Sequence, residues 1–248
     1  MFLQIERGDS TYIRTPHHKE ILIDGGQNVS TLIALDRHRP FWDKHIDLLI
    51  MTHPDSDHYY GFIPLLQRFS VDNILMTGAK KDDPMYQKIF DIAEEKNIQI
   101  LYADKTQDFI VDGVKFDILY PDYSLLGLEK STGNNNSLVI KMSYQCPEIS
   151  GKNKNKSILF TGDIEKKTEE LLLSSGKNVH ADILKVPHHG SKSSSSENFL
   201  SAVNPELAVF TTGTKNSFGH PHQEVLERYK SFGIEYVNSK DGDVVIEW

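Results

Sequence analysis

Cysteine is almost absent: Cys146 is the single thiol in 248 residues. An internal disulfide and a thiolate zinc finger are therefore excluded, and any metal ligands must be His, Asp or Glu. Long apolar runs are absent as well. No stretch approaches the ~18 residues a membrane span needs. The start "MFLQIERGDS" has no basic segment leading into an apolar one, so the chain reads as soluble and without a signal peptide. Positive charge is short: 27 Lys and Arg face 35 Asp and Glu, a net charge of −8. That balance argues against a protein that coats duplex DNA non-specifically. A nuclease stays open, because bound cations invert the field around clustered carboxylates.

No linker or low-complexity segment divides the chain, apart from four serines at 193–196, so a single domain over 1–248 is expected. Strand-forming runs lie at 10–14, 20–24, 47–52, 73–76, 98–102, 108–111, 114–120, 137–144, 157–162, 181–187, 207–212, 234–238 and 243–248. Runs with the i, i+3, i+4 apolar spacing of a helix lying on a sheet cover 29–39, 55–69, 83–97, 164–175, 195–203 and 221–232. Asp112-Gly113 between two strand runs signals a type I′ hairpin. Residues 151–157, "GKNKNKS", read as a looser basic hairpin whose lysines 152, 154 and 156 form a solvated tip. Strands followed by helices in both halves predict an α/β (α+β) architecture of two facing sheets with helices outside.

Polar clusters recur where predicted strands end. "DLLIMT" runs into His53, Asp55, Asp57 and His58, "SILFTG" into Asp163, and "ADILKVP" into His188-His189-Gly190. "SFGHPHQ", after "LAVFTT", carries His220 and His222. Strand ends are where α/β proteins collect ligand sites, since a rigid scaffold there meets free loops. In an extended loop residues i and i+2 project to one side, so His53 and Asp55 can grip one ion. A helix starting near Asp57 turns Asp57 and His58 toward a second, and one carboxylate, Asp163, can bridge both. Two such cations about 3.5–4 Å apart clamp the attacking and leaving oxygens of a phosphodiester and generate a hydroxide between them.

"HPDSDH", "TGD", "HHGS" and "GHP", in this order, resemble the metallo-β-lactamase fold of metal-dependent hydrolases. The wider set, "GDSTYIRTP…EILIDGG", "THPDSDHYYG", "NNNSLVI", "ILFTGDI", "ILKVPHHGSKSSS" and "FGHP", resembles one branch: the C-terminal domain of ComEC-type competence DNA-uptake proteins. The resemblance implies a four-layer αββα sandwich with two divalent ions, Mn²⁺ or Zn²⁺, at one edge. It implies that His53, Asp55 and His188 hold one ion, that Asp57, His58 and His220 hold the other, and that Asp163 bridges. His189 would orient a neighbour, although either histidine of the pair could be the ligand. The chain departs from the broader fold in having Asp55 where a third histidine is usual, and "NNNS" where another is. Carboxylate in place of imidazole hardens the site and shifts preference from zinc toward manganese or magnesium. The start "IERGDS" departs from the branch too, and the branch's membrane channel is missing.

The favoured reading is a phosphodiesterase, a nuclease cleaving single-stranded DNA, with Asp57 and Asp163 catalytic. Ser191, Lys192 and Asn136 are candidate substrate contacts: a hydroxyl and an ammonium beside the ligand pair can hold a phosphate, and one amide of the three asparagines can reach substrate rather than cap a loop. A hydrolase of small phosphodiesters or esters, such as a choline-phosphate ester, competes with it on net charge. A non-catalytic metal-binding domain is the third reading. Location follows from the reading: cytoplasmic if the chain stands alone, the outer face of the cytoplasmic membrane if it serves a channel protein. His17 and His18 fall in a turn, and His38, His45 and His180 have no acidic partner at ligand spacing, so all five read as ordinary surface or core residues; His222 reads as a helix-start residue or as one that supports a ligand.

Overall fold

The apolar alternation of the strands sorts the core into three layers. The computed structural model describes residues 1–103, 108–122, 133–145 and 155–248; Cys146 and lysines 152 and 154 lie outside them. One sheet has the order β1 (Thr11–Arg14), β2 (Glu20–Ile23), β3 (His45–Met51), β4 (Ser70–Met76), β5 (Gln99–Tyr102). The other runs β12 (Glu235–Asn238), β11 (Leu207–Phe210), β10 (Ile183–Lys185), β9 (Asn155–Phe160), β8 (Val139–Gln145), β7 (Val114–Tyr120), β6 (Phe109–Val111). Ile21, Ile23, Leu48 and Ile50 of the first sheet join Phe116, Ile140, Ile158, Ile183 and Val209 of the second in one buried cluster between the sheets. Successive side chains on a strand point to opposite faces. Leu22, Leu49 and Met51 accordingly turn outward, onto α1 (Ser30–Asp36), α3 (Phe62–Arg68) and α4 (Pro84–Glu95). Leu184, Ala208 and Phe210 turn onto α5 (Lys166–Ser174), α6 (Glu197–Val203) and α7 (Gln223–Ser231). The order helix, sheet, sheet, helix is the αββα sandwich.

Strands β2 to β5 are parallel, as are β9 to β12. Parallel strands deliver their C-terminal ends to one rim, which is how residues far apart in sequence come to share a site. The β6–β7 hairpin turns at Asp112 and Gly113 with φ of 51° and 77°, the left-handed pair a type I′ turn needs.

Two expectations are corrected. Residues 243–248 form no strand; Val244 makes a single antiparallel bridge to Phe2. The expected helix over 55–69 is two, α2 (Ser56–Tyr59) and α3, separated at Gly61. Gly61 N donates to Gly26 O (2.9 Å), and a Cβ at Gly61 would collide with the Gly25 carbonyl. The break is therefore set by packing of the α2–α3 junction on the β2 loop, which helical periodicity does not report.

Candidate metal centre

Five strand ends converge at the rim. His53 follows β3 and is 1% exposed. Its Nδ1 is 3.0 Å from Thr52 Oγ1, and that hydroxyl donates its one proton to Asp24 Oδ2 at 2.7 Å. Thr52 must therefore accept from His53 Nδ1–H, which leaves Nε2 as a bare lone pair. His53 Nε2 is buried and has no hydrogen-bond partner among the described residues. Burial, reinforced by His58, pushes its pKa down to about 3, so the ring is neutral at pH 7.

His58 opens from α2, whose first turn is closed by His58 N donating to Asp55 O (2.8 Å). Its Nδ1 donates to Asp24 Oδ2 (2.8 Å), and its Nε2 points at Asp163 Oδ2 (3.2 Å). Asp24 thus fixes the orientation of both imidazoles, the way an outer carboxylate orients metal-ligating histidines. Asp163 follows β9; its backbone N donates to Ser137 Oγ (3.0 Å), and Ser137 Oγ donates to Asn134 O (2.7 Å). The "NNNS" turn therefore positions the Asp163 carboxylate. Asp163 Oδ2 is also 3.1 Å from His189 Nε2.

His188, His189 and Gly190 all have positive φ, at 47°, 53° and 84°. Two consecutive non-glycine residues there cost roughly 1–2 kcal/mol each, and strain of this kind collects at functional sites. The reversal sends the two imidazoles different ways. His189 is buried, with Nδ1 donating to Thr211 O (2.7 Å) and 3.1 Å from Asp9 Oδ1. His188 is half-buried, with Nδ1 3.4 Å from Glu165 Oε1 and its ring beside Asn134 (3.2 Å).

Ligand atoms of His53, His58 and Asp163 lie within 4.8 Å of one another, as do those of Asp57, His58 and His189, and those of Asp9, Asp163 and His189. His58 thus stands between His53 and Asp57, and His189 shares the cluster while His188 stands at its rim. Asp55 Oδ2 is 3.7 Å from His53 Nε2, while its Oδ1 pairs with Lys81 (3.0 Å). His220 lies further out, its ring centroid 6.2 Å from that of His189 and 5.6 Å from that of His188. Ser191 is buried with Oγ 2.9 Å from Ser193 Oγ, whereas Lys192 is exposed. Asn134 reaches His188, Asn135 binds Glu165 (3.0 Å), and Asn136 donates its backbone N–H to Gly133 O (3.1 Å). His222 Nδ1 accepts from Lys192 N (3.3 Å) at the start of α7. Away from the site, His38 meets Asp243 (2.8 Å), and His45 has acidic neighbours after all: Asp72 at 3.0 Å and Asp47 at 4.0 Å.

The sequence reading missed Asp9, Asp24 and Lys185. Asp24 stands at the end of β2, under the same strand-end rule that singled out His53. Lys185 is a lysine inside an apolar strand and is fully buried; its Nζ donates to Gly162 O (2.8 Å), pairs with Asp9 Oδ2, and lies 3.4 Å from Asp163 Oδ1. Burial opposes charge on His189, but Asp163 and Asp9 outweigh it and hold its pKa up to about 10. His58 is raised in the same way, against burial, by Asp163 and Asp24. Burial would raise the pKa of Asp163, but His189, His58 and Lys185 hold it well below the usual carboxylate range.

A buried imidazole nitrogen with no partner, facing ionised carboxylates and other imidazoles, is what a divalent cation would satisfy. The donor set of histidines and carboxylates suits Zn²⁺ or Mn²⁺.

Fold and rim together define the class: the chain has the metallo-β-lactamase fold. It aligns along 98% of its length with the metallo-β-lactamase fold protein YhfI from Bacillus subtilis, at a TM-score of 0.62 and 13% identity over 97% of that chain. Igni18, a metallo hydrolase from Ignicoccus hospitalis, aligns over 100% of this chain and 98% of its own at a TM-score of 0.57 and 14% identity. In sequence the chain is similar to ComE operon protein 3 of Bacillus subtilis, 28% identical over 260 residues covering 98% of this chain, and to competence protein ComA of Neisseria gonorrhoeae, 30% identical over 79% of it. The chain spans 32% and 24% of the length of these two relatives. No protein-family model matches it. Among the described residues no helix is long and apolar enough to cross a membrane.

Proposed function

We propose that the chain is a metal-dependent phosphodiesterase, and specifically a nuclease that cleaves single-stranded DNA. The observation that carries this reading is the bare, buried Nε2 of His53 beside His58 and Asp163. His53, His58 and Asp163 would hold one ion and Asp57 and His189 would reach a second, with His58 between them and Asp55, His188 and His220 bordering the pair. Bound, the two ions supply Lewis-acid stabilisation and a deprotonated water at neutral pH.

The chain's own residues supply the rest. Asp24 and the Thr211 carbonyl hold His58 and His189 in the tautomers that present Nε2 to the site. The half-buried Asp57 carboxylate, 3.9 Å from His189 Nε2, would take the proton of the attacking nucleophile. Lys192, exposed and next to the histidine pair in sequence, would meet substrate phosphate. The similarity to competence proteins supports DNA as the substrate and a membrane channel protein as partner. The net charge of −8 favours a second reading, hydrolysis of small phosphodiesters.

Cleavage of a labelled single-stranded oligonucleotide with Mn²⁺ or Zn²⁺, beside hydrolysis of bis(p-nitrophenyl) phosphate at the same metal concentration, separates the two. Asp57→Ala should lower the oligonucleotide rate at least 100-fold, on the order of one lost acid–base group, and His58→Ala should lower it at least as far by removing a ligand shared by the cluster. Undiminished cleavage in both variants discards the assignment.

A further inference from the structure

The loop from β11 to α7 borders the donor cluster, and at its tip Phe218 is 65% exposed. Leaving such a ring in water forgoes the gain of burying it, yet the loop holds it in place. Arg7 donates through Nη2 to Ser217 Oγ (2.8 Å) and sets its guanidinium carbon 5.8 Å from the Phe218 centroid. Asn216 Oδ1 accepts from Phe218 N (3.1 Å) and His220 N (3.3 Å), and the Asn216 amide donates to His220 O. Phe218 lies 5.8 Å from His220 with their planes 23° apart, and His220 lies 6.2 Å from His189 with planes 24° apart. Three near-parallel rings therefore step from solvent to the imidazole that faces Asp163.

We propose that Phe218 is a stacking platform for one unpaired nucleobase next to the scissile phosphate. This deepens the nuclease reading and rests on it. A ring stacks on the π-face of any base, so it holds a strand without reading sequence. In a duplex both faces of a base are already covered, so the platform selects single strands. It also supplies affinity that does not depend on positive charge, in a chain whose net charge is −8.

The test measures KM and kcat on single-stranded oligonucleotides carrying one abasic position, moved step by step along the strand. With the intact strand Phe218→Ala should raise KM about tenfold, the size of one base–aromatic stack, Phe218→Leu should do the same, and Phe218→Trp should keep the wild-type value. In the wild type one abasic position near the cut should raise KM to the same extent, and in Phe218→Ala that position should add nothing further. Elemental analysis of each variant checks that metal content is that of the wild type. Penalties that multiply, or a KM unchanged in Phe218→Ala, overturn the platform while leaving the nuclease reading intact. A wild type that hydrolyses bis(p-nitrophenyl) phosphate but no oligonucleotide overturns both.

Discussion

The ammonium of Lys185 faces Asp163 Oδ1 at 3.4 Å, on the opposite side of the carboxylate from the oxygen that meets His58 and His189. One oxygen is neutralised from behind and the other is left to the cluster.

Removing that ammonium leaves two buried carboxylates, Asp9 and Asp163, short of a partner. Lys185→Met should therefore destabilise the metal-free protein by about 3–5 kcal/mol, the usual cost of breaking a buried pair from one side. Added Mn²⁺ or Zn²⁺ should recover part of it by supplying positive charge at the same carboxylate. Urea unfolding with and without metal measures both; equal stability of variant and wild type without metal would refute the role.

Asp24 accepts from His58 Nδ1, Thr52 Oγ1 and Thr52 N at 2.7–2.8 Å. Asp24→Asn should weaken metal binding about 10- to 100-fold, read by calorimetric titration. Thr52→Val should act in the same direction through His53, whose Nδ1 loses its acceptor.

The paired histidines predict unequal losses. His189→Ala should lower the metal-to-protein ratio from near two, whereas His188→Ala should leave it unchanged, because His188 stands against Glu165 and Asn134. Elemental analysis after dialysis decides, and the reverse pattern would transfer the ligand role to His188.

Stability of the metal-free protein should peak near pH 6.5, the ordinary value for histidine. His189, held up to about 10, contributes fully below about 6.5 and loses its contribution as pH rises through 10. His53, pushed down to about 3, and His220, pushed down to about 4 by burial with His189 next, act on the other side. As pH falls below 6.5 the unfolded chain takes up protons that these rings refuse, and stability falls. Saturating metal should remove the alkaline decline, since ligation already requires an unprotonated imidazole. Midpoints of thermal unfolding across pH 4–10 test it, and a decline above pH 7 that metal does not touch counts against it.

Gly8 has a φ of 84°, and a Cβ there would collide with the Asp57 carbonyl. Gly8→Ala should displace the 55–58 turn and lower both activity and metal affinity, while Gly176→Ala, at an equally left-handed position with open space, should lower stability alone. Parallel assays of the two variants check this.

Much of the architecture was legible because strands buried on both faces read as apolar runs and the helices carry clear one-sided spacing. Strand-end polarity led to His53, Asp57, His58 and Asp163. The rest escaped for physical reasons. Asp9 sits in a short motif that resembles a turn former; Asp24 carried the strand-end signal, but the two glycines after it read as a turn, and only the folded chain shows both carboxylates beside the imidazoles. Lys185 looked like a strand residue; its charge is sustained by carboxylates 22 and 176 positions away, which no local pattern encodes. The division of labour between His188 and His189 depends on consecutive left-handed backbone angles, and nothing in "HHG" fixes which ring turns inward.

The donors come from both sheets, and this gives the cluster a timetable. A growing polypeptide that has emerged only as far as β8 carries His53, Asp57 and His58 but neither Asp163 nor His189. Its histidines have no carboxylate from the second sheet to share an ion with. Under the proposed assignment the cluster is complete only once the last third of the chain has been made and docked, so an abandoned translation product or an early proteolytic fragment would carry the recognisable motif without its partners from the second sheet.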